Sequence, residues 1–297
     1  MNDLWTMHPR YGEIHAGGEL VARFNPDGEE RGLWITSDGV EGWDTLPDAK
    51  VTGVERGQGD GAHDVPDTDI LYAARTVTIH YQAIGYDRAD LLDVMRRINR
   101  LAHQSIRLRL VDGREDTYVD GYLASMGRSG GWHPLIETGL TMHVVCPRPE
   151  RLSWAPHRFQ LLPTRDGNGG LSYGADGAGF EYPVTYGRAA SDARNTCLLV
   201  NDGTSRAYPV FTVYGDFPDG VDLQCSGGLS VRYDEPVTGA PVILDARTGT
   251  ATLGGRDVSR ALSSRGWPEV DPGGSLTVAL QSSGTGWVDC LIHDTYM

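Results

Sequence analysis

Residues 200–215 read VNDGTSRAYPVFTVYG, and this stretch decides how the C-terminal third of the chain is interpreted. The triplet Asn201-Asp202-Gly203 is a turn signal, because Asn and Asp side chains bond their own backbone and Gly tolerates positive φ. The run at 210–214 that follows Pro209 has the composition of a half-buried strand and is closed by Gly215. The stretch therefore predicts a turn followed by a β-strand.

Short strands separated by turns continue to the C-terminus. The candidates are 196–200, 210–214, 221–225, 229–233, 242–245, 250–253, 275–280 and 287–296. Strands recurring every 8–12 residues or so are typical of an antiparallel sandwich or barrel. We therefore assign residues 196–297 to a C-terminal antiparallel β-sandwich. The preceding residues 163–195 are rich in Gly, Asp and Ala without periodicity, and we assign them to a linker.

Residues 1–162 predict a second β-rich domain that contains one helix. Alternation of apolar and polar residues over 71–83 indicates a half-buried strand. Residues 87–103 predict an α-helix, with Asp87 as its candidate N-cap. The helix has apolar residues at helical spacing: Leu91, Met95 and Ile98. The fold class is therefore mainly β, with an N-terminal β-sandwich or split-barrel domain that carries one α-helix.

Composition bounds the possible partners. Forty acidic residues against 26 basic ones give a net charge of −14, which argues against binding to a phosphate backbone. An acidic surface is compatible with DNA moving past the protein without binding to it. The sequence contains no long apolar run of the length that spans a membrane, and its first residues lack the features of a signal peptide. We expect a soluble protein without membrane insertion, made in a cytoplasm.

The four cysteines form no motif. Cys146, Cys197, Cys225 and Cys290 are far apart and include no C-x-x-C pair. For a chain made in a cytoplasm this favours free thiols, buried or half-buried, over a disulfide or a zinc site.

One segment matches a catalytic pattern literally. Residues 127–131 read GRSGG, which fits G-x-S-x-G, but a nucleophile elbow needs a helix after its serine. Here Trp132-His133-Pro134 and another strand follow, so a hairpin turn is predicted instead. No Walker A or dinucleotide-binding motif is present. The sequence predicts no catalytic and no cofactor-binding residue, although a glycosidase acid pair that spacing does not reveal stays open.

Candidate ligand sites are equally sparse. The polar loop at 55–69 carries several possible oxygen ligands, namely Asp60, Asp64, Asp67 and Asp69, together with His63. A calcium loop needs a closing bidentate Glu, and none stands at the right place, so we expect a solvated loop and no metal site. His133 and His143 fit surface or packing roles. Most tryptophans fit core burial, while Trp267 and Trp287 are the candidates for stacking on a sugar.

Several short motifs follow one another in order. The first domain contains GLWIT at 32–36 with Trp34, GVEGW at 39–43 with Trp43, YAARTVTI at 72–79 with Arg75, and LVDG at 110–113. The junction carries CPRPE at 146–150, GGLSY at 169–173 and YPVTYG at 182–187. The C-terminal domain contributes Asn201, Gly203, Pro209 and Gly215 of one motif, Asp245 and Gly249 of a second, and Trp267 and Gly273 of a third.

In this order the motifs resemble the distal tail proteins of long-tailed, non-contractile bacteriophages, also called siphovirus-type tail components or minor tail proteins. The junction resembles that of relatives from phages of actinobacteria. The resemblance implies a structural protein and not an enzyme. Its N-terminal domain would form a homo-hexameric ring around the tail channel, and its C-terminal domain would be a galectin-like sandwich.

The resemblance also implies partners and a place. The ring would join the tail tube protein to the baseplate hub or tail-associated protein at the virion tail tip, after assembly in the host cytoplasm. The tape measure protein is a further candidate partner, and DNA would pass through the channel without specific binding. Two alternatives stay open: a carbohydrate-binding, host-recognition module, and a tail-borne glycosidase or esterase.

Overall fold

The computed structural model describes residues 10–26, 28, 30–66, 69–130, 133–163 and 194–297. The chain divides into two compact units, Met1–Trp154 with Tyr296–Met297, and Ala155–Thr295. Most of the predicted linker at 163–195 lies outside the described residues. No helix in the described part is long and apolar enough to cross a membrane.

The first unit is a closed β-barrel with one helix. Its strands are β1 (Arg10–Ala16), β2 (Glu19–Phe24), β3 (Gly32–Glu41), β4 (Arg75–Ile84), β5 (Ser105–Asp112), β6 (Glu115–Arg128), β7 (Ile136–Cys146) and β8 (Arg151–Ser153), and helix α1 (Arg88–Asn99) follows β4. The strand order is β6-β5-β1-β2-β3-β4-β7, and pairing of β7 with β6 closes the ring of seven strands. β8 lies beside β6, outside that ring. The predicted mainly β class, with a sandwich or split-barrel domain that carries one helix, is confirmed, and the structure makes this domain a closed barrel.

The barrel core follows from the alternation in its strands. In β4 every second residue is buried, including Val77, Ile79 and Tyr81. These side chains pack with Phe24 and with the buried residues of α1 in one apolar cluster. Removal of that surface from water is the main stabilising contribution to this unit.

Helix α1 begins where the sequence predicts. The side chain of Asp87 accepts a hydrogen bond from the backbone N–H of Asp90 at 2.8 Å, which makes Asp87 the N-cap. The helix ends at Asn99, earlier than the predicted residue 103. Beyond it the backbone N–H of Leu101 bonds the carbonyl of Ile98, so the chain tightens into turns before β5.

The second unit is an antiparallel sandwich. Its strands are β9 (His157–Leu161), β10 (Thr196–Val200), β11 (Val210–Tyr214), β12 (Val221–Cys225), β13 (Leu229–Tyr233), β14 (Val242–Asp245), β15 (Thr250–Leu253), β16 (Arg256–Asp257), β17 (Leu262–Arg265), β18 (Ser275–Leu280) and β19 (Trp287–Ile292). One sheet has the order β10-β18-β12-β13-β17, and the other β16-β15-β14-β11-β19-β9. Phe211 of β11 and Leu223 of β12, one from each sheet, both belong to the buried apolar core. The predicted C-terminal sandwich is confirmed.

The predicted strands of the second unit coincide with β10 to β15 and β18. The last predicted strand, 287–296, is divided into β19 and a short final strand, β20 (Thr295–Tyr296). β9 lies outside the predicted strands and within the predicted first domain, 1–162. It pairs with β19, and its Leu161 is fully buried in the sandwich core. The structure therefore places residues 155–162 in the second unit, because their pairing partners are there.

Candidate assembly interface

A long segment between β3 and β4 exposes apolar side chains. We call residues 42–74 the arm. Two isolated β-bridges, Ala49 with Tyr72 and Glu55 with Ala62, pair the outgoing half of the arm with its returning half, and we call these halves its two limbs. Exposure is 59% for Leu46, 63% for Val54 and 56% for Leu71. Because the limbs are paired but these side chains face solvent, the arm has the character of a surface that a partner covers.

Arg75, the first residue of β4, fixes the base of the arm. The residue is 1% exposed, and the hydrogen bonds of its side chain to described residues all go to backbone carbonyl oxygens. Nη1 donates to the carbonyls of Gly42, Trp43 and Thr45 at 2.6, 2.8 and 2.8 Å, and Nε donates to that of Pro149 at 2.6 Å. One guanidinium thus joins the beginning of the arm to its end.

A second arginine, Arg151, lies close to Arg75 at the base of the arm. Burial lowers the pKa of Arg75 from its ordinary value, and the nearby charge of Arg151 lowers it further. Arg151 is itself nearly buried and donates from Nη1 to Asp44 at 2.8 Å. The Arg151 guanidinium also lies 5.8 Å from the ring of Trp43, which is buried. These contacts hold the residues at which the arm begins.

The far end of β6 is a second exposed feature of the barrel. β5 pairs with β6 only as far as Tyr122, while β7 continues to pair with it as far as Arg128. Within the described part of the chain, the other edge of residues 123–128 has no strand beside it. Tyr122 and Met126 are exposed there. An unpaired edge of this kind is a template for pairing with another chain.

Glu137 ties this extension to the helix. It is fully buried at the beginning of β7, and its carboxylate accepts from Nη1 of Arg88 at 2.8 Å. Arg128, at the end of β6, forms an ion pair with the same carboxylate. The exposed end of the hairpin is therefore anchored by one buried charge with two cationic partners.

The motif residues of the second unit support turns. Asn201 is fully buried, and its Nδ2 donates to the carbonyls of Ser205 and Val270 at 2.8 and 3.0 Å. Its Oδ1 accepts from the backbone N–H groups of Gly203 and Thr295 at 3.1 and 3.2 Å. The turn predicted from the opening stretch is thus organised by a buried amide.

Close backbone approach explains two of the glycines. A Cβ at Gly203 would stand 2.0 Å from the carbonyl oxygen of Thr295, and one at Gly215 would stand 2.4 Å from Cα of Gly286. Gly215 also has a positive φ of 92°. A side chain is therefore excluded at both positions.

The other motif residues lie apart from this turn. Pro209 is buried, and its carbonyl accepts from the backbone N–H of Ala246. The carbonyl of Asp245 accepts from the N–H of Gly249, and a Cβ at Gly249 would stand 3.2 Å from Nε1 of Trp267. Trp34 is half-buried on β3, and Gly273 lies in the turn before β18. These residues therefore make separate turn and packing contacts, and they do not form one site.

The two candidate sugar-stacking tryptophans differ. Trp267 is partly buried and packs against the sandwich core. Trp287 is 36% exposed and stacks on Tyr214, with ring centroids 5.2 Å apart and planes 16° apart. Of these two tryptophans, Trp287 is the one whose ring a ligand can reach.

The remaining candidate residues make local contacts. Ser129 lies in the β6–β7 hairpin, where its Oγ donates to the carbonyl of Gly139 at 3.2 Å. His143 bonds the hydroxyl of Thr78, and His133 accepts from the N–H of Leu135. Asp64 pairs with Arg56 within the arm. The four cysteines are free thiols, as predicted.

Sequence reasoning missed the residues that fix the arm and the hairpin. Asp44, Arg151 and Glu137 carried no motif. Asp44 and Arg151 are 107 residues apart, and Arg88 is 49 residues from Glu137. For Glu137 the sequence offers one clue: it is the single acidic residue in the largely apolar strand β7.

The fold is similar to that of a solved phage hub protein. The structure is similar to that of the SPP1 Dit (gp 19.1) protein, described as a paradigm of the hub adsorption apparatus in phages that infect Gram-positive bacteria. The TM-score is 0.58 at 12% identity, and the match covers 96% of this chain and 99% of that chain. At this identity the likeness shows a common fold.

Two structures of the phage P2 baseplate in its activated conformation, with Ca and with Sr, also match. Their TM-scores are 0.44 and 0.42, each at 12% identity, covering 96% of this chain and 97% of the other. No protein-family model and no curated protein sequence matches the chain.

Proposed function

We propose that this protein is a structural component of a phage tail tip, a distal tail protein that acts as a hub. The observation that carries the proposal is the fold shared with SPP1 Dit across both units, over 96% of this chain and 99% of that one. In this proposal the protein resides at the tail tip of the virion after assembly in the host cytoplasm.

The barrel unit is proposed to form a homo-hexameric ring. A ring closes through heterologous contacts, in which one surface of each copy meets a different surface of the next. The arm supplies one surface, with Leu46, Val54 and Leu71 exposed. The unpaired edge of β6 at residues 123–128 supplies a second. Burial of the arm's apolar side chains against the next copy would drive closure.

Partners above and below the ring follow from the same proposal. The hub would join the tail tube protein to the baseplate hub or tail-associated protein, with the tape measure protein as a further neighbour. DNA would pass without specific binding, since the net charge of −14 repels a phosphate backbone.

Oligomeric mass tests the ring. We expect the full chain to elute as a hexamer in size-exclusion chromatography with light scattering. The double variant Leu46→Asp/Leu71→Asp, which places charge on the arm, should elute as a monomer. Leu198→Asp is the matched control, because Leu198 is similarly exposed at 50% but lies in the second unit. A monomeric wild-type chain would contradict the proposed ring.

A second candidate function is carbohydrate binding by the outer face of the six-stranded sheet. The exposed Trp287, stacked on Tyr214, favours it, since a partly exposed aromatic ring offers an apolar face to a sugar. Asp289 of β19 and its cross-strand partner Gln160 of β9 lie in the same sheet as Trp287. Glycan-array binding that Trp287→Ala abolishes and Ile243→Ala preserves would support this function. The absence of any bound glycan would remove it.

A further inference from the structure

Three metal-ligating side chains converge within the second unit. His157, Asp202 and Asp294 each offer a ligand atom, and these atoms all lie within 4.8 Å of one another. Nε2 of His157 is 3.2 Å from Oδ1 and 3.1 Å from Oδ2 of Asp294. The residues are distant in sequence, so the fold and not a local motif brings them together.

Separate structural elements place these residues. His157 begins β9, and Asp294 lies between β19 and β20. Asp202 follows the buried Asn201, whose amide oxygen accepts from the backbone N–H of Thr295, the neighbour of Asp294. The backbone N–H of Asp202 donates to Oδ1 of Asp294 at 2.8 Å. Hydrogen bonds to a ligating carboxylate orient it, as the outer shell of a metal site does.

The spacing suits a small tetrahedral ion. Two ligand atoms about 2.0–2.1 Å from zinc lie about 3.3 Å apart at a tetrahedral angle. The separations between His157 and Asp294 are close to that value. Asp202 is exposed, and its carboxylate makes no hydrogen bond or ion pair among residues 194–297 and the other described residues. It can therefore turn toward an ion without breaking a contact.

The donor set discriminates between ions. Calcium and magnesium take oxygen ligands, and calcium takes six to eight or so. An imidazole nitrogen with two carboxylates suits zinc and related transition ions. A simple His157–Asp294 ion pair is the competing explanation for the contact, but it gives no role to Asp202.

We propose that His157, Asp202 and Asp294 bind one Zn²⁺ ion. The ion links β9, the turn after β10 and the segment after β19, and so joins the first strand of the sandwich to its last. Binding to the folded state alone stabilises that state by mass action. The site is independent of the proposed ring, whose surfaces lie in the first unit.

Calorimetry and thermal unfolding of the full chain test the site. With ZnCl₂ after treatment with a chelator, we expect one ion per chain and a midpoint of unfolding about 5–10 °C higher at a hundredfold excess over the dissociation constant. CaCl₂ and MgCl₂ should give no shift. His157→Ala and Asp202→Asn should each weaken zinc binding at least about tenfold.

His63→Ala is the matched control for non-specific binding, because His63 is an exposed histidine on the arm. It should bind zinc like the wild type. Co²⁺ in place of Zn²⁺ should give the visible absorption bands of a tetrahedral site. The absence of zinc binding, or binding unchanged in His157→Ala, would overturn the proposal. Binding that Asp202→Asn leaves unchanged would overturn the three-ligand assignment.

Discussion

Nη1 of Arg75 donates a hydrogen bond to the carbonyl oxygen of Trp43 over 2.8 Å, and so joins the beginning of β4 to the chain just beyond β3. The same guanidinium bonds three further carbonyls. A loop of more than thirty residues is thereby anchored at its base, while its Leu46, Val54 and Leu71 side chains face solvent. This combination of a fixed base and an exposed surface supports the proposed assembly role of the arm.

Removal of the Arg75 guanidinium should destabilise the barrel. Arg75→Met preserves much of the side-chain volume but leaves four carbonyl oxygens without their donor. We expect a loss of about 3 kcal/mol in the free energy of unfolding, measured by urea denaturation. Arg97→Met, at an exposed position on α1, is the control and should change stability by less than about 0.5 kcal/mol. Equal effects of the two variants would contradict the anchoring role.

Cleavage after Lys50 should report whether the arm is covered. Lys50 is the sole lysine of the chain and is exposed on the arm. A lysine-specific endoproteinase therefore has one site. We expect the assembled protein to resist cleavage and the Leu46→Asp/Leu71→Asp variant to be cut, as followed by gel electrophoresis. Rapid cleavage of the assembled protein would show that the arm remains uncovered in it.

Loss of the Asn201 amide should destabilise the sandwich. Asn201→Ala leaves buried carbonyls and N–H groups without partners, and we expect a cost of about 3 kcal/mol in the free energy of unfolding. Asn195→Ala is the control, since the Asn195 side chain makes only long bonds among the described residues: Nδ2 donates to the carbonyl of Leu280 and Oδ1 accepts from the hydroxyl of Thr196, each at 3.4 Å. A cost at Asn201 no larger than at Asn195 would contradict the supporting role of this amide.

The four thiols should differ in reactivity. Burial raises the pKa of Cys146 to about 12 and that of Cys225 to about 11, and the pKa of Cys290 is also raised. The Cys290 thiol donates to the sulfur of Cys197 and lowers the pKa of Cys197. Because the thiolate is the reactive form, alkylation of the native chain at pH 8 should modify Cys197 first.

The same shifts give a pH dependence. A thiol whose pKa is higher in the folded state makes its full contribution to stability at pH values below about 8.5, the ordinary pKa of a thiol. That contribution is lost as pH rises toward about 11 for Cys225 and about 12 for Cys146. The predicted order of thiol modification is checked by mass spectrometry after brief alkylation, with the Cys197→Ser variant as control. Equally fast labelling of Cys146 in the native state would contradict it.

Local pattern was sufficient to predict much of the fold. Asp87 was recognisable as an N-cap, because capping is decided by residues three positions apart. β11 was bounded by its own turn residues, Pro209 and Gly215. β9 could not be recognised, because its run HRFQL is short and largely exposed. Its place is set by pairing with β19, more than a hundred residues away.

The candidate surfaces were less accessible to sequence reasoning than the fold. Arg75 belonged to a motif, but its hydrogen-bond acceptors are backbone carbonyls, which leave no trace in residue identity. Residues 55–69 of the arm were predicted to form a solvated loop, because that part of the sequence is rich in Gly and Asp. Likewise, the convergence of His157 with Asp202 and Asp294 depends on tertiary contacts between distant segments.

Electron microscopy of the purified full-length chain tests the central claim most directly. The proposed hub predicts two-dimensional class averages with six-fold symmetry around an open centre. These averages should disappear in the Leu46→Asp/Leu71→Asp variant and persist in Leu198→Asp. A wild-type chain that remains monomeric at micromolar concentration, with no ring among the class averages, would contradict the account.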